Sequence, residues 1–393
     1  MKSTDPKRVS ILGSTGSVGA NTVELVELHN RLAPGSYVPV ALTANENVED
    51  LADQARRLRP EFVAIANPVK YMDLKSALAG TGVEVAAGAD AIVEAALRDA
   101  DWLMASIVGA AGLRPTLAAV SMGRTVALAN KECLVTAGEL FMSEVRRFGT
   151  TLLPVDSEHN AVFQVFDIHQ RHAIESITLT ASGGPFRTWT AEQMHAVTPA
   201  QACKHPNYSM GAKISVDSAT LMNKGLELVE AHHLFNTPAD RLNVVIHPQQ
   251  ALHCLVTYAD GSVLAQLASP DMRTPIAYAL GYPDRIVAPT HRLNLAEMAH
   301  LDFEAPDTSR FPCLKLAQEA MKASSGATTI LNAANEVAVG AFLQGKIGFL
   351  RISSVVEAVL EALASSSEVP LTVELALALD AQAREHAKRA LNN

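Results

Sequence analysis

The stretch VSILGSTGSVG, Val9 to Gly19, carries an apolar run straight into a glycine-spaced turn and then into a helical pattern beginning near Val18. Val9–Leu12 reads as a strand. Gly13 suits the tight turn after it, Gly16 lets backbone approach a pyrophosphate, and Gly19 lets helix pack on strand. A helix N-terminus adds unpaired N–H groups and positive partial charge for phosphate. An ordinary glycine-rich turn is the alternative. The position of the loop, at the first strand–helix junction of an alternating region, favours a dinucleotide.

The alternation extends outward from that loop. Apolar runs recur at Tyr37–Leu42, Phe62–Ala66, Trp102–Val108, Thr125–Leu128 and Thr151–Val155, with amphipathic stretches such as Glu49–Leu58 and Ala91–Leu97 between them. Strands separated by helices imply parallel βαβ units and a doubly wound sheet. Residues 1–155 are therefore read as a Rossmann-like nucleotide-binding domain. From 156 to 285 strand patterns (Ile174–Ala181, Asn243–Ile246, Leu252–Tyr258, Ser262–Leu267) mix with helical ones and with loops rich in His, Pro, Gly and Ser, an α+β domain. Residues 286–312, with Pro289, Pro306 and Pro312, read as a linker. Residues 313–393 form a helical domain from Leu314–Met321, Thr329–Gln344, Ser354–Ala364 and Leu371–Leu391, with capping-box spacing at Ser354 and Glu357. The whole is an α/β protein with an appended helical domain.

Composition excludes several classes. The 393 residues are 48% apolar and 19% charged, enough for sizeable cores and against wholesale disorder. With 32 basic and 41 acidic residues the net charge is −9, which argues against nucleic acid as partner. The uncharged run Leu242–Ala259 is interrupted by Asn243, His247, Pro248, Gln249, Gln250 and His253, too polar to span a membrane. Cys133, Cys203, Cys254 and Cys313 form no CxxC, which suits reduced thiols and a cytoplasmic location.

The second strand ends Ala41-Leu42-Thr43-Ala44-Asn45, without the acid that NAD binders usually place on the ribose hydroxyls, and this leans towards NADP. Glu46 follows. Facing inward it would repel a 2′-phosphate; the other reading is that it faces solvent.

Two carboxylate-bearing stretches suggest a metal. In TLLPVDSEHN, Thr151 to Asn160, an extended chain through Glu158 would point Asp156 and Glu158 the same way. Paired carboxylates call for a cation, and magnesium or manganese suits oxygen donors. A solvated acidic turn is the alternative. In DSATLMNKGLELVE, Asp217 to Glu230, Asp217 or Ser218 is placed to cap a helix on which Asn223, Lys224 and Glu227 share a face. Glu230 competes with Glu227 as a third ligand, and a capped helix with a polar outer face is the plain alternative. Thr180–Pro185, TASGGP, has the composition of an anion nest after a strand, and Lys204–Gly211, KHPNYSMG, that of a lid.

These segments, with ANKE at Ala129–Glu132, HPQ and PDMRTPI, occur in the order found in the 1-deoxy-D-xylulose 5-phosphate reductoisomerases, and the chain resembles that family from about residue 9 to beyond Asn335. The resemblance implies NADPH-dependent isomerisation and reduction of 1-deoxy-D-xylulose 5-phosphate to 2-C-methyl-D-erythritol 4-phosphate in non-mevalonate isoprenoid synthesis. One divalent metal (Mn2+, Mg2+ or Co2+) and a homodimer are implied with it. By position it implies Asp156, Glu158 and Glu227 as metal ligands, and Lys131, Glu158 and His205 as catalytic groups. Lys131, Ser157, Glu158, Ser182, His205, Ser218, Asn223, Lys224 and Glu227 would contact substrate. Thr15, Gly16, Ser17, Val18, Asn47, Asn130 and Gly211 would contact NADPH, with 204–211 as a lid.

Three positions depart from the family pattern. Asn45-Glu46 stands where Gly followed by Lys or Arg is common, Tyr208 replaces a Trp, and Gln250 follows HPQ where Ser is frequent. The enzymatic alternative is a semialdehyde dehydrogenase, which shares a GxTGxxG loop but needs an activated cysteine such as Cys133. A cofactor-binding regulator without chemistry is the other.

Overall fold

A computed structural model describes residues 6–204, 211–364 and 372–392. In chain order the first elements are β1 (Lys7–Leu12), α1 (Ser17–Leu32), β2 (Tyr37–Ala44), α2 (Val48–Leu58), β3 (Phe62–Ile65), α3 (Tyr71–Ala77), β4 (Glu84–Ala87), α4 (Ala89–Leu97), β5 (Trp102–Ala105), α5 (Leu113–Val120), β6 (Thr125–Leu128), α6 (Glu132–Phe148) and β7 (Thr151–Pro154). Then come α7 (Ser157–Val165), β8 (Ile174–Ala181), α8 (Ala191–Met194), α9 (Pro199–Ala202), α10 (Ala212–Ala219), α11 (Met222–Phe235), β9 (Leu242–Ile246), β10 (Leu252–Tyr258), β11 (Val263–Leu267), α12 (Arg273–Gly281), α13 (Leu295–Met298), α14 (Pro312–Ala323), α15 (Ser325–Leu343), α16 (Arg351–Ala362) and α17 (Val373–Ala390).

Contacts divide the chain into two compact units. The first takes Met1–Cys133, Ser143–Asp156 and Met272–Thr290; the second takes Leu134–Met142, Ser157–Asp271 and His291–Asn393.

The first unit is built on a seven-stranded sheet in the order β4-β3-β2-β1-β5-β6-β7, and every pair in it is parallel. Parallel strands covered on both faces read as continuous apolar runs, and all four residues of β3 are fully buried. Strand order reverses direction at β1, which makes the carboxyl end of β1 the topological switch point where ligands bind in such sheets. Gly13 begins there. Strand β4, Glu84–Ala87, has no long apolar run and escapes a reading of the sequence by hydrophobicity.

The segment Met272–Thr290 belongs with this sheet for identifiable reasons. Lys7 Nζ donates to the Leu280 carbonyl at 2.8 Å and the Trp102 indole N–H to that of Ala279 at 3.0 Å. Arg273 pairs with Glu24 of α1 at 3.0 Å.

In the second unit a four-stranded sheet, β11-β10-β8-β9, shares one hydrophobic core with α11 and α14 to α17. This grouping differs from the division drawn along the sequence, because the helices after residue 312 bury their apolar faces on the same core as β8 and β10. Pro312 opens α14 at the first turn. Ser324 caps α15 by accepting from the Ala327 N–H at 3.1 Å. Helix α15 is buried nearly all round from Ser325 to Asn335, the pattern of a central helix. The Ser354–Glu357 pair does not cap: α16 starts three residues earlier, at Arg351, so both lie inside it.

Helix α11 packs against α14 at Gly225, where an added Cβ would stand 2.4 Å from the Ala317 Cβ. Gly225→Ala should therefore overpack this contact and cost about 1–3 kcal/mol. Calorimetric melting should show a lower transition temperature, and an unchanged melt would mean the two helices separate freely.

Candidate active site

In the first unit the loop after β1 is a preformed cradle. Gly13 N donates to Thr43 Oγ1 at 2.9 Å and Ser14 N to the Thr43 carbonyl at 2.8 Å, which ties the turn to β2. Gly13 has φ +81°, and a Cβ there would lie 2.8 Å from the Ser106 carbonyl oxygen. A Cβ on Gly19 would lie 2.2 Å from the Gly13 oxygen, so only glycine lets α1 start this close to the strand. At Gly16 the same test finds nothing nearer than 3.4 Å, which leaves its face open. Gly16 is the N-cap of α1 and makes no side-chain cap bond, so the first N–H groups of α1 face outward with Thr15, Gly16, Ser17 and Val18 at the rim. This arrangement fits the pyrophosphate of a dinucleotide.

Two residues expected to contact the cofactor have structural partners. Asn47 caps α2, accepting from Asp50 N at 3.1 Å and donating to Asp50 Oδ2 at 2.6 Å. Asn130 is 2% exposed, and its amide donates to the carbonyls of Ile107 and of Gly109, the latter at 3.0 Å. It holds the β5–α5 loop to the end of β6. Also in this unit, Lys131 and Asp156 follow β6 and β7, adjacent strands, and pair at 2.5 Å with little exposure.

The second unit contains the other carboxylates. Asp156 and Glu158 are not on one face of an extended strand, because the chain turns into α7 at Ser157. The helix places Glu158 in its first turn, where the macrodipole favours an anion. Glu158 Oε1 accepts from Lys224 Nζ at 2.8 Å, and Glu227 Oε2 accepts from the same Nζ. Ser157 Oγ donates to Glu158 Oε2 at 2.6 Å, and the Asn223 amide donates to Glu227 Oε1. Asn223, Lys224 and Glu227 lie within one turn of α11, as their spacing requires. Lys224 is buried. Burial alone lowers its pKa, but the charges of Glu158 and Glu227 and their hydrogen bonds outweigh this and leave it raised. One ammonium thus holds two carboxylates, an oxygen-rich donor set that fits a hard divalent cation.

Glu230 is engaged by His159. His159 Nε2 donates to the Glu227 carbonyl at 2.8 Å, and His159 Nδ1 lies 3.3 Å from Glu230 Oε2, both side chains being fully buried. Because a carbonyl only accepts, Nε2 carries a proton. Glu227 is therefore held at its backbone by His159 and at its side chain by Asn223 and Lys224. Sequence reasoning missed His159, because nothing in the spacing of DSEHN distinguishes it from a core histidine.

The turn after β8 lies against α10. Gly183 and Gly184 have φ +82° and +71°, Gly184 N donates to Ser182 Oγ at 3.1 Å, and a Cβ on Gly184 would stand 2.8 Å from the Ser218 carbonyl oxygen. Ser182 and Ser218 are thereby brought together. Asp217 and Ser218 do not cap α11. Both lie inside α10, and the N-cap of α11 is Leu221. Asp217 is 1% exposed and is held by Lys213 at 2.9 Å and the Asn335 amide at 2.8 Å. Gly211, exposed, starts α10. His205 and Tyr208 lie outside the described residues, as does the lid segment apart from its ends. Gln250 sits at φ +50° in a turn where Ala251 N donates to His247 Nε2 at 3.2 Å.

Cys133 is fully buried, and burial pushes the thiols of Cys254 and Cys313 up to about 12.

Comparison with known proteins agrees along the chain. Residues 9–138 match the family model described as 1-deoxy-D-xylulose 5-phosphate reductoisomerase, and residues 152–235 match its C-terminal domain. Residues 267–386 match the DXP reductoisomerase C-terminal domain. A reductoisomerase of that name from Rhodospirillum centenum is 62% identical over 92% of this chain and 89% of its own length. The one from Zymomonas mobilis is 53% identical over 96% of each. A solved Zymomonas mobilis structure in complex with NADPH superposes with a TM-score of 0.92 at 51% identity, covering 99% of this chain and 100% of that one. A reductoisomerase structure in complex with NADPH, fosmidomycin and magnesium gives 0.94 at 41% identity, covering 98% of each.

The buried His159–Glu230 pair generates a prediction. Glu230→Leu removes one member of a buried polar pair, so denaturant unfolding should show a loss of about 3–5 kcal/mol. A loss below about 1 kcal/mol would show that the pair bears no buried charge.

Proposed function

The chain belongs to the 1-deoxy-D-xylulose 5-phosphate reductoisomerase family, and on that premise we propose how its residues divide the work. It converts 1-deoxy-D-xylulose 5-phosphate to 2-C-methyl-D-erythritol 4-phosphate with NADPH and a divalent metal, in non-mevalonate isoprenoid biosynthesis. When bound, the metal stabilises negative charge on the substrate's carbonyl and neighbouring hydroxyl oxygens, and NADPH supplies hydride to the new aldehyde.

In this reading Asp156, Glu158 and Glu227 hold the metal. The sharing of Lys224 Nζ between Glu158 and Glu227 is the observation that carries it. Lys131, already beside Asp156, adds positive charge along the substrate backbone and relays a proton. Ser157 orients the substrate next to Glu158. Ser182, Ser218, Asn223 and Lys224 take the phosphate, a role supported by the contact between the Ser182 turn and Ser218. Thr15 to Val18 line the pyrophosphate with backbone N–H groups, while Asn47, Asn130 and Gly211 shape the cofactor site. His205 joins the catalytic group on the strength of the sequence alone.

Magnesium or manganese serves equally well for such a donor set. The compartment is the cytoplasm, a reading supported by four free cysteines. The working form is a homodimer. Support comes from β11, an edge strand that exposes Val263 and Leu264 by 50% and 47%.

The decisive experiment follows NADPH oxidation with the deoxyxylulose phosphate as substrate. Chelator should abolish turnover, and added magnesium or manganese should restore it. Glu227→Gln should lower kcat roughly a hundredfold or more, since a Lewis acid contributes several kcal/mol to the barrier, with NADPH affinity retained. Turnover that survives exhaustive chelation would refute the metal assignment. For the assembly, sedimentation should give twice the chain mass for the native protein and a shift towards the single chain for Leu264→Lys; a native single chain would refute the dimer.

A further inference from the structure

We propose that Glu46 makes this chain a dual-coenzyme enzyme, one that takes NADH with an efficiency within about tenfold of NADPH. The inference rests on the reading above that a dinucleotide lies over the loop from Gly13 to Gly19, and it concerns the far end of that ligand, the ribose of its adenosine. In a doubly wound sheet this ribose lies at the carboxyl end of the second strand. There an acid accepts from the 2′- and 3′-hydroxyls, whereas a basic side chain pairs with a 2′-phosphate.

Here the second strand, β2, ends at Ala44, and α2 begins at Val48. The connection Asn45-Glu46-Asn47 is the ribose position. Glu46 is exposed, and its direction is set: Oε1 accepts from the Asn67 amide at 3.2 Å, on the turn that follows β3, the next strand of the sheet. Its other carboxylate oxygen remains for a hydroxyl. Asn47 is engaged with Asp50 as the α2 cap. The first turn of α2 adds Glu49 and Asp50, both exposed. A 2′-phosphate would thus meet three acidic residues within five positions of the chain.

The basic residues of this region are spent elsewhere. Arg56 and Arg57 are in the last turn of α2 and Arg59 is its C-cap, about 13–18 Å along the helix from Asn47. Arg56 donates to the Ala77 carbonyl at 2.7 Å, and Arg57 pairs with Asp53 at 2.9 Å and with Glu27. Lys70 pairs with Asp73 at 3.4 Å. The attraction of the α1 N-terminus for pyrophosphate is common to both coenzymes and cancels in their ratio. What differs between them is the 2′-phosphate, and its surroundings are acidic.

The test measures dissociation constants of NADPH and NADH for the full-length protein by nicotinamide fluorescence, and kcat/KM for each coenzyme with the deoxyxylulose phosphate and magnesium. The native protein, Glu46→Gln and Glu46→Arg are compared at low and high salt. For the native protein the two dissociation constants should agree within about tenfold, and added salt should improve NADPH relative to NADH by screening the repulsion. Glu46→Gln should shift the ratio towards NADPH and weaken that salt effect. Glu46→Arg should shift it further, by roughly tenfold or more, and reverse the sign of the salt effect. The charge lies at the surface, so circular dichroism should be the same for all three.

A native preference for NADPH well above tenfold, or a ratio unmoved by both substitutions, would overturn the role of Glu46. Binding of neither coenzyme would instead overturn the placement of the dinucleotide on the Gly13–Gly19 loop.

Discussion

A buried ammonium between two carboxylates is the constraint around which the second unit is organised. Lys224 cannot leave water without compensating charge, and Glu158 and Glu227 cannot approach one another without a cation. Their mutual need fixes α7 against α11. The hydrogen-bond donors around them, Ser157 and Asn223, satisfy the remaining carboxylate oxygens, so the cluster is a closed set rather than a half-paired one. A site of this kind does not await a metal with bare like charges facing each other. Its lysine bridges the two acids and balances their charge.

The same economy appears one turn further along α11. His159 immediately follows Glu158 and receives the backbone of Glu227, so a single ring registers both acid-bearing helices. Glu230 completes that ring's surroundings from within the core. Orientation of the acids thus depends on groups that never need to touch substrate, which is how precise geometry is usually secured around metals. In the first unit the corresponding constraint is steric. Gly13 and Gly19 are required because backbone lies within 3 Å of where their side chains would be, the Ser106 carbonyl for the first and the Gly13 carbonyl for the second. A phosphate site made of N–H groups needs such bare backbone.

The sequence made much of this legible, and the illegible part has a common cause. Regular alternation of apolar runs announced the parallel sheet, since strands buried on both faces must be apolar throughout. The glycine spacing marked the loop because each glycine answers a separate steric demand. Spacing also brought Asn223, Lys224 and Glu227 to one helix face. What period-based reading could not supply was the exact residue at which one element gives way to the next. Asp156 to Glu158 lies at such a point, a strand becoming a helix, and so does Asp217 to Leu221, where two helices abut. There the direction of a side chain depends on tertiary contacts. The partners of His159, Glu230 and Asp217 were illegible for the same reason: they lie on α11, α7 and α15, distant in sequence.

Exposed loop positions behave differently. Glu46 affects neither sheet nor helix; its one hydrogen bond is to a surface amide. Substitution there leaves the fold untouched, so selection on coenzyme choice acts on it freely, whereas selection on Gly19 or Lys224 acts through folding first. Glu158 and Glu227, fixed in a buried charge network, have little freedom to drift without loss of structure. In the proposed placement of the coenzyme, its distal phosphate meets a solvent-facing loop that has it. A chain can therefore keep the reaction of its family intact while departing from it in the coenzyme it prefers, and the position at which that departure costs the fold least is the end of β2.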